Sequence, residues 1–134
     1  MHAFFKYKNL TTVVGVELAQ SRYALAEQAL HNISGMYPEL YKVEQRGENC
    51  CVMTELADGR ELRFEQGNLL TRDDVSEYDI LLVEVNFPIE TLGPYCEFLM
   101  KSKAGSRLLT YQVRFNQLVA AFSFRRSCQQ GSVC

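Results

Sequence analysis

Residues 21–35 carry the clearest periodic pattern of the chain. Apolar side chains recur there at three- and four-residue steps, which is the spacing of one face of an α-helix. Ser21 is a residue type that favours a helix N-cap, and Gly35 is one that favours the position after a helix end. The pattern therefore predicts a main helix over residues 21–33. Its predicted apolar face consists of Leu25, Ala26, Ala29, Leu30 and Ile33.

Alternating apolar and polar positions predict strands on both sides of this helix. Asp58-Gly59 lies between two of the alternating segments, and Asp-Gly in that position is a strong hairpin signal. The segments that follow the helix therefore predict a three-stranded β-meander. The predicted strands are residues 3–8, 12–18, 40–45, 50–56 and 61–65.

The remaining elements follow from shorter patterns. Residues 80–85 form a compact apolar segment that predicts a strand, and Pro94 suits the first turn of a second helix over about residues 94–103. Residues 107–126 show helical spacing, but they are rich in β-forming side chains. These side chains favour one or two strands over a helix for the segment.

Together the elements predict an α+β fold. A mostly antiparallel sheet of about five to seven strands would pack against the main helix (21–33) and the second, shorter helix (about 94–103). A length of 134 residues with 47% apolar content suits one core. We therefore expect a single domain over residues 1–126 and a flexible C-terminal tail over residues 127–134.

The second face of the predicted sheet is not uniformly polar. Apolar side chains that we assign to it would need a cover, and a second copy or another protein could supply one. This pattern favours self-association as a homodimer. The residues that carry it are Tyr7, Tyr41, Val52, Phe64 and Val83.

Charge is distributed unevenly along the chain. Residues 98–134 contain six basic side chains and no acid, whereas residues 39–97 contain fourteen acids and five bases. The net charge is only −2, so bulk charge does not indicate a polyanion-binding protein. Any binding of nucleic acid would have to use a local patch, and the two blocks could also neutralise each other within one fold.

Basic and aromatic side chains alternate in the predicted strands at both ends of the chain. Single-stranded nucleic acid is held by cations at its phosphates and by aromatic faces under its bases. The alternative is that these are ordinary amphipathic strands, with the aromatic rings in the core and the cations in solvent. The candidate nucleic-acid-binding residues are Lys6, Lys8, Arg107, Tyr111, Arg114, Phe124, Arg125 and Arg126.

No linear motif indicates catalysis, a metal or a cofactor. The two histidines are His2, near the start, and His31, which we expect to be a solvated partner of Glu27 one helical turn earlier. The five cysteines lack C-x-x-C spacing, and the glycines form no phosphate-binding cluster. We therefore predict no catalytic residue, no metal site and no cofactor. An odd number of cysteines also favours reduced thiols.

These observations favour a small non-enzymatic protein-binding or adaptor domain that forms a homodimer in the cytoplasm, without a membrane segment. The first alternative is a nucleic-acid-binding accessory protein that uses the basic and aromatic C-terminal strands. The second alternative is a small enzyme with a cleft that no motif reveals, in which His31 or Asp74 could be an ionisable group.

Overall fold

The computed structural model describes residues 1–85 and 87–110. The chain falls into two compact units, Met1–Leu69 and Leu70–Cys134. The α+β class is confirmed, because the described residues form a mixed four-stranded sheet, a two-stranded sheet and three α-helices. Each sheet has fewer strands than the single sheet that we predict. The single domain over residues 1–126 stays a prediction, and the tail over residues 127–134 lies outside the described residues.

The first unit is built on the four-stranded sheet, whose strand order is β1-β4-β3-β2. β1 runs parallel to β4, and the other two pairs are antiparallel, so the predicted β-meander is confirmed. Gly59 has a φ of +73°, which lets the chain turn sharply between β3 and β4. The elements are α1 (His2–Lys6), β1 (Thr12–Glu17), α2 (Gln20–Met36), β2 (Tyr41–Gln45), β3 (Cys50–Glu55) and β4 (Glu61–Gln66).

α2 covers one face of this sheet, and the predicted helical face is confirmed except at Leu25. Leu30 is buried, and Ala26, Ala29 and Ile33 are half-buried, whereas Leu25 is 66% exposed and Tyr23 is buried instead. The physical reason is Tyr23, whose ring is buried and whose hydroxyl accepts a hydrogen bond from Gln45 on β2 (3.3 Å). Two residues along a helix are about 200° apart, so burial of Tyr23 turns Leu25 towards solvent. The fully buried side chains of the core are Phe4, Leu30, Cys51, Met53 and Leu62.

The predicted ends of the main helix were also wrong. α2 begins at Gln20 with Ala19 as its N-cap residue, and Gly35 lies inside the helix. No side-chain hydrogen bond caps the start of α2; the Glu17 carboxylate accepts a hydrogen bond from the amide of the N-cap residue Ala19 (2.8 Å). The same carboxylate accepts two hydrogen bonds from the Arg22 guanidinium, and Arg22 is the main cause of the lowered pKa of Glu17.

The strand predicted over residues 3–8 is the helix α1. Its sequence contains β-forming aromatic residues, but a contact with a distant residue decides its conformation. The Arg60 guanidinium donates to the carbonyls of Phe4 (3.1 Å), Tyr7 (3.4 Å) and Leu10 (3.4 Å) at the end of α1 and after it. Arg60, which directly precedes β4, therefore links α1 and the segment after it to the sheet.

The second unit is smaller in its described part. β5 and β6 pair in parallel, which confirms a strand within residues 80–85 and another at the start of residues 107–126. The rest of the latter segment lies outside the described residues. Its elements are two 3₁₀ turns (Leu69–Thr71 and Asp74–Glu77), β5 (Ile80–Val83), a third 3₁₀ turn (Ile89–Thr91), α3 (Leu92–Met100) and β6 (Arg107–Thr110).

α3 corresponds to the second predicted helix. It begins at Leu92, which puts Pro94 in its first turn as predicted, and it ends at Met100 rather than near residue 103. Tyr95, Phe98 and Leu99 are its buried side chains. None of the helices in the described part combines the length and the apolar character that crossing a bilayer requires.

Candidate functional site

Four large apolar side chains are exposed at one end of the first unit. We call this set the apolar end patch: Met36 (69% exposed), Tyr37 (45%), Leu40 (46%) and Leu56 (53%). They come from the end of α2, from the segment before β2 and from the turn after β3. Contiguous exposed apolar side chains are more often interaction surfaces than scattered ones are.

Backbone hydrogen bonds hold the segments of the patch together. The Leu40 amide donates to the Tyr37 carbonyl (3.0 Å), and the Leu56 amide donates to the Leu40 carbonyl (2.8 Å). The Ser34 hydroxyl on α2 also donates to the Tyr41 carbonyl (2.9 Å), which ties the helix to the first residue of β2. Hydrogen bonds therefore tie the turn segments of the apolar end patch to one another and tie α2 to β2.

Two of the residues that we assign from the sequence to the second sheet face lie on the face that α2 covers. Tyr41 and Phe64 pack against the core under the helix. Val52 does point to the opposite face, but it is fully buried, and its cross-strand neighbours are Glu44 and Arg63. Side chains of this length can cover a valine with their apolar stems.

Ion pairs connect the charged side chains around Val52. Arg46 pairs with both Glu44 (2.6 Å) and Glu61 (2.7 Å), and Arg63 pairs with Glu61 (2.6 Å). Arg46 is the main cause of the lowered pKa of Glu61. This face is therefore charged and charge-balanced on β2 and β4, whereas β1 adds the half-buried Val14 and Val16. The side chains of the apolar end patch are more exposed than these valines, so the argument for a dimer moves to that patch.

Three of the predicted nucleic-acid-binding residues lie in the described part, two in the first unit and one in the second, and their role stays a prediction. Lys6 is the last residue of α1, with its Nζ atom 5.4 Å from the centre of the Tyr7 ring. Lys8 follows α1 and forms an ion pair with Glu55 (2.9 Å). Arg107 is the exposed first residue of β6, in the other unit. The residues that lie outside the described part are Tyr111, Arg114, Phe124, Arg125 and Arg126.

Acidic side chains of the second unit form ion pairs with basic side chains of the same unit. Lys101 pairs with Asp73 (2.6 Å), and Lys103 pairs with Asp79 (2.6 Å). Two bases of the positive block therefore meet acids of the negative block within this unit, as the sequence allows. Asp74 accepts hydrogen bonds from Arg72 and from the Tyr78 hydroxyl (2.9 Å), and Arg72 is the main cause of its lowered pKa. A carboxylate held ionised in this way is not a general acid.

Three potential metal ligands converge at the packing contact between α2 and β3. Glu27 and His31 lie one turn apart on α2, and Cys51 projects from β3. One ligand atom from each of the three side chains lies within 4.8 Å of the other two. Sequence spacing shows the Glu27–His31 pair, but only the packing of the helix on the sheet brings Cys51 to it.

Burial and negative charge set the pKa of the Cys51 thiol in this cluster. Burial, and secondarily the nearby Glu27 carboxylate, raise the pKa of the Cys51 thiol to about 11. Burial is also the main cause of the raised pKa of Tyr23, to which Glu27 and Cys51 add. Cys51 is thus protonated at neutral pH, and a protonated buried thiol is a poor nucleophile.

Comparison with known protein families, with curated proteins and with solved structures finds no match to this chain.

Proposed function

We propose that this chain is a small non-enzymatic protein-binding domain that forms a homodimer through the apolar end patch. The observation that carries the proposal is the patch itself, in which Met36, Tyr37, Leu40 and Leu56 are each 45–69% exposed and lie on hydrogen-bonded segments. Burying such side chains contributes about 25 cal/mol for each Å² removed from water.

A second copy of the chain is the partner that this surface fits best. The contact in a two-fold dimer uses the same surface on both copies, so the surface must be complementary to itself. An uncharged apolar patch meets this condition, whereas a patch of one charge repels its own copy. Glu39 and Lys42 lie on either side of Leu40 along the chain, carry opposite charges and are exposed, so their charges together do not repel a second copy.

The test is size-exclusion chromatography with light scattering on untagged protein. The wild type is expected to have the mass of a dimer, and Leu40→Glu and Leu56→Glu to have the mass of a monomer. Leu25→Glu is the matched control, because Leu25 is also an exposed leucine (66%) but lies about 16 Å from Met36 along the axis of α2. A wild-type monomer at all concentrations, or a monomeric Leu25→Glu variant, would contradict the proposal.

Two further expectations belong to this proposal. A cytoplasmic location is consistent with Cys51, which carries a thiol and not a disulfide, and fractionation of the source cells tests it.

Binding of nucleic acid remains the alternative function. This alternative predicts that the purified protein carries excess nucleic-acid absorbance relative to its protein absorbance, and that high salt removes the excess. It also predicts that charge reversal at Arg125 and Arg126 abolishes nucleic-acid binding.

A further inference from the structure

We propose that Glu27, His31 and Cys51 form a binding site for one divalent zinc ion. The three side chains come from two rigid elements, and their ligand atoms already lie within 4.8 Å of one another. Around a tetrahedral zinc ion with bonds of about 2.0–2.3 Å, ligand atoms are about 3.3–3.8 Å apart. The cluster therefore has to contract by only about 1 Å, which side-chain rotations can provide.

The arrangement of the three ligands favours this contraction. Glu27 and His31 are four residues apart on α2, so they project from the same side of the helix. Cys51 projects towards them from β3, and its register partner on β2 is Gln45. Gln45 donates a hydrogen bond to Tyr23, one turn before Glu27 (3.3 Å), so the wall of the site next to Cys51 is held in place.

The types of ligand atom in this cluster favour zinc over magnesium and calcium. A thiolate and an imidazole are ligands that zinc prefers, whereas magnesium and calcium prefer sites built from oxygen alone. The ion would displace the proton of the Cys51 thiol to solvent and form a sulfur–zinc bond. One thiolate, one carboxylate and one neutral imidazole then balance the two positive charges of the ion, so no net charge is buried.

The three ligands differ in exposure, and this difference gives an ion a route into the site. Cys51 is buried, Glu27 is half-buried and His31 is exposed, so the cluster runs from the core to the surface. An ion can bind first at His31 and Glu27 and then reach the thiolate. Three protein ligands leave the fourth tetrahedral position open to a water molecule.

The test is titration of untagged, metal-free protein with zinc against a competing chromogenic chelator. Cobalt is used in a parallel titration, because a cobalt–thiolate bond gives a charge-transfer absorption. The wild type is expected to bind one ion per chain and to show this absorption. His31→Gln and Glu27→Gln are each expected to weaken binding by more than about tenfold, since removal of even an outer-shell partner costs about 10–100-fold.

The controls separate this site from other ligands in the chain. His2→Gln removes the other histidine, and Cys50→Ser removes the thiol next to Cys51, so both are expected to bind zinc like the wild type. Replacing Cys128 and Cys134 together with serine is expected to have no effect either. His31 is exposed, so its variant should keep the wild-type circular dichroism without metal. Unchanged binding in His31→Gln, or cobalt binding without charge transfer, would overturn the proposal.

Discussion

Substituting Arg60 tests how a distant contact holds the first helix of the chain. Arg60 is buried, and its guanidinium lies 4.5 Å from the centre of the Phe4 ring. It donates to three carbonyls at the end of α1 and after it, and it forms ion pairs with Glu55 and with Asp58 (3.0 Å). Burial alone would lower the pKa of Arg60, but these carboxylates raise it. Arg60→Ala removes all of these contacts together.

The expected loss of stability follows from the groups that Arg60→Ala leaves behind. The Phe4 carbonyl belongs to a fully buried residue, and a buried polar group without its partner costs about 1–3 kcal/mol. The two ion pairs add less, because Glu55 keeps its pair with Lys8 and the Asp58 side chain is 49% exposed to water. We therefore expect Arg60→Ala to lower the free energy of unfolding by about 2–4 kcal/mol.

The control is Arg63→Ala, which removes an arginine three residues away that pairs with Glu61 on the sheet face opposite α2. Arg63 is more than a third exposed, so its loss is expected to cost about 0–1 kcal/mol. The assay is urea unfolding followed by far-ultraviolet circular dichroism, with hydrogen exchange at the α1 amides as a local readout. If Arg60→Ala costs no more than Arg63→Ala, the reasoning is refuted.

Two further predictions concern stability. In Gly15→Ala, the new Cβ would lie 2.6 Å from the Phe64 ring, so we expect a lower melting temperature and a cost of about 1–3 kcal/mol. Gly35→Ala, with open space around it inside α2, should instead stabilise by about 0.5–1 kcal/mol; destabilisation in both variants would contradict this account. The second prediction uses the lowered pKa of Glu61, which lies below 4.5 mainly because of Arg46. Its stabilising effect is complete above about pH 4.5 and is lost as the pH falls through the folded-state pKa. The melting temperatures of wild type and Glu61→Gln should therefore converge on acidification, and a constant difference would argue against this pair.

The elements that depend on local sequence patterns could be predicted from the sequence. The β-meander was predicted because Asp58-Gly59 and the alternation of its strands are both local patterns, and Gly59 has the expected positive φ. α1 was missed because a five-residue helix has little stability of its own and depends on Arg60, which is 56 residues away from Phe4. Long-range hydrogen bonds of this kind leave no periodic pattern in the sequence.

The candidate sites were less predictable than the fold. The exposed position of His31 and its spacing from Glu27 could be read from the helix, but the pairing that brings Cys51 to them depends on strand register. The apolar end patch was missed for a related reason. Leu40 and Leu56 become neighbours only because β2 and β3 pair in the register that joins their backbones.

The most direct test of self-association is an isotope-filtered nuclear Overhauser experiment on an equal mixture of labelled and unlabelled chains. It detects only contacts between different copies. We predict intermolecular signals to the methyl groups of Met36, Leu40 and Leu56, and none to those of Leu25. Intermolecular signals confined to residues outside the apolar end patch, or no such signals from a protein that sediments as a monomer, would contradict the proposed dimer.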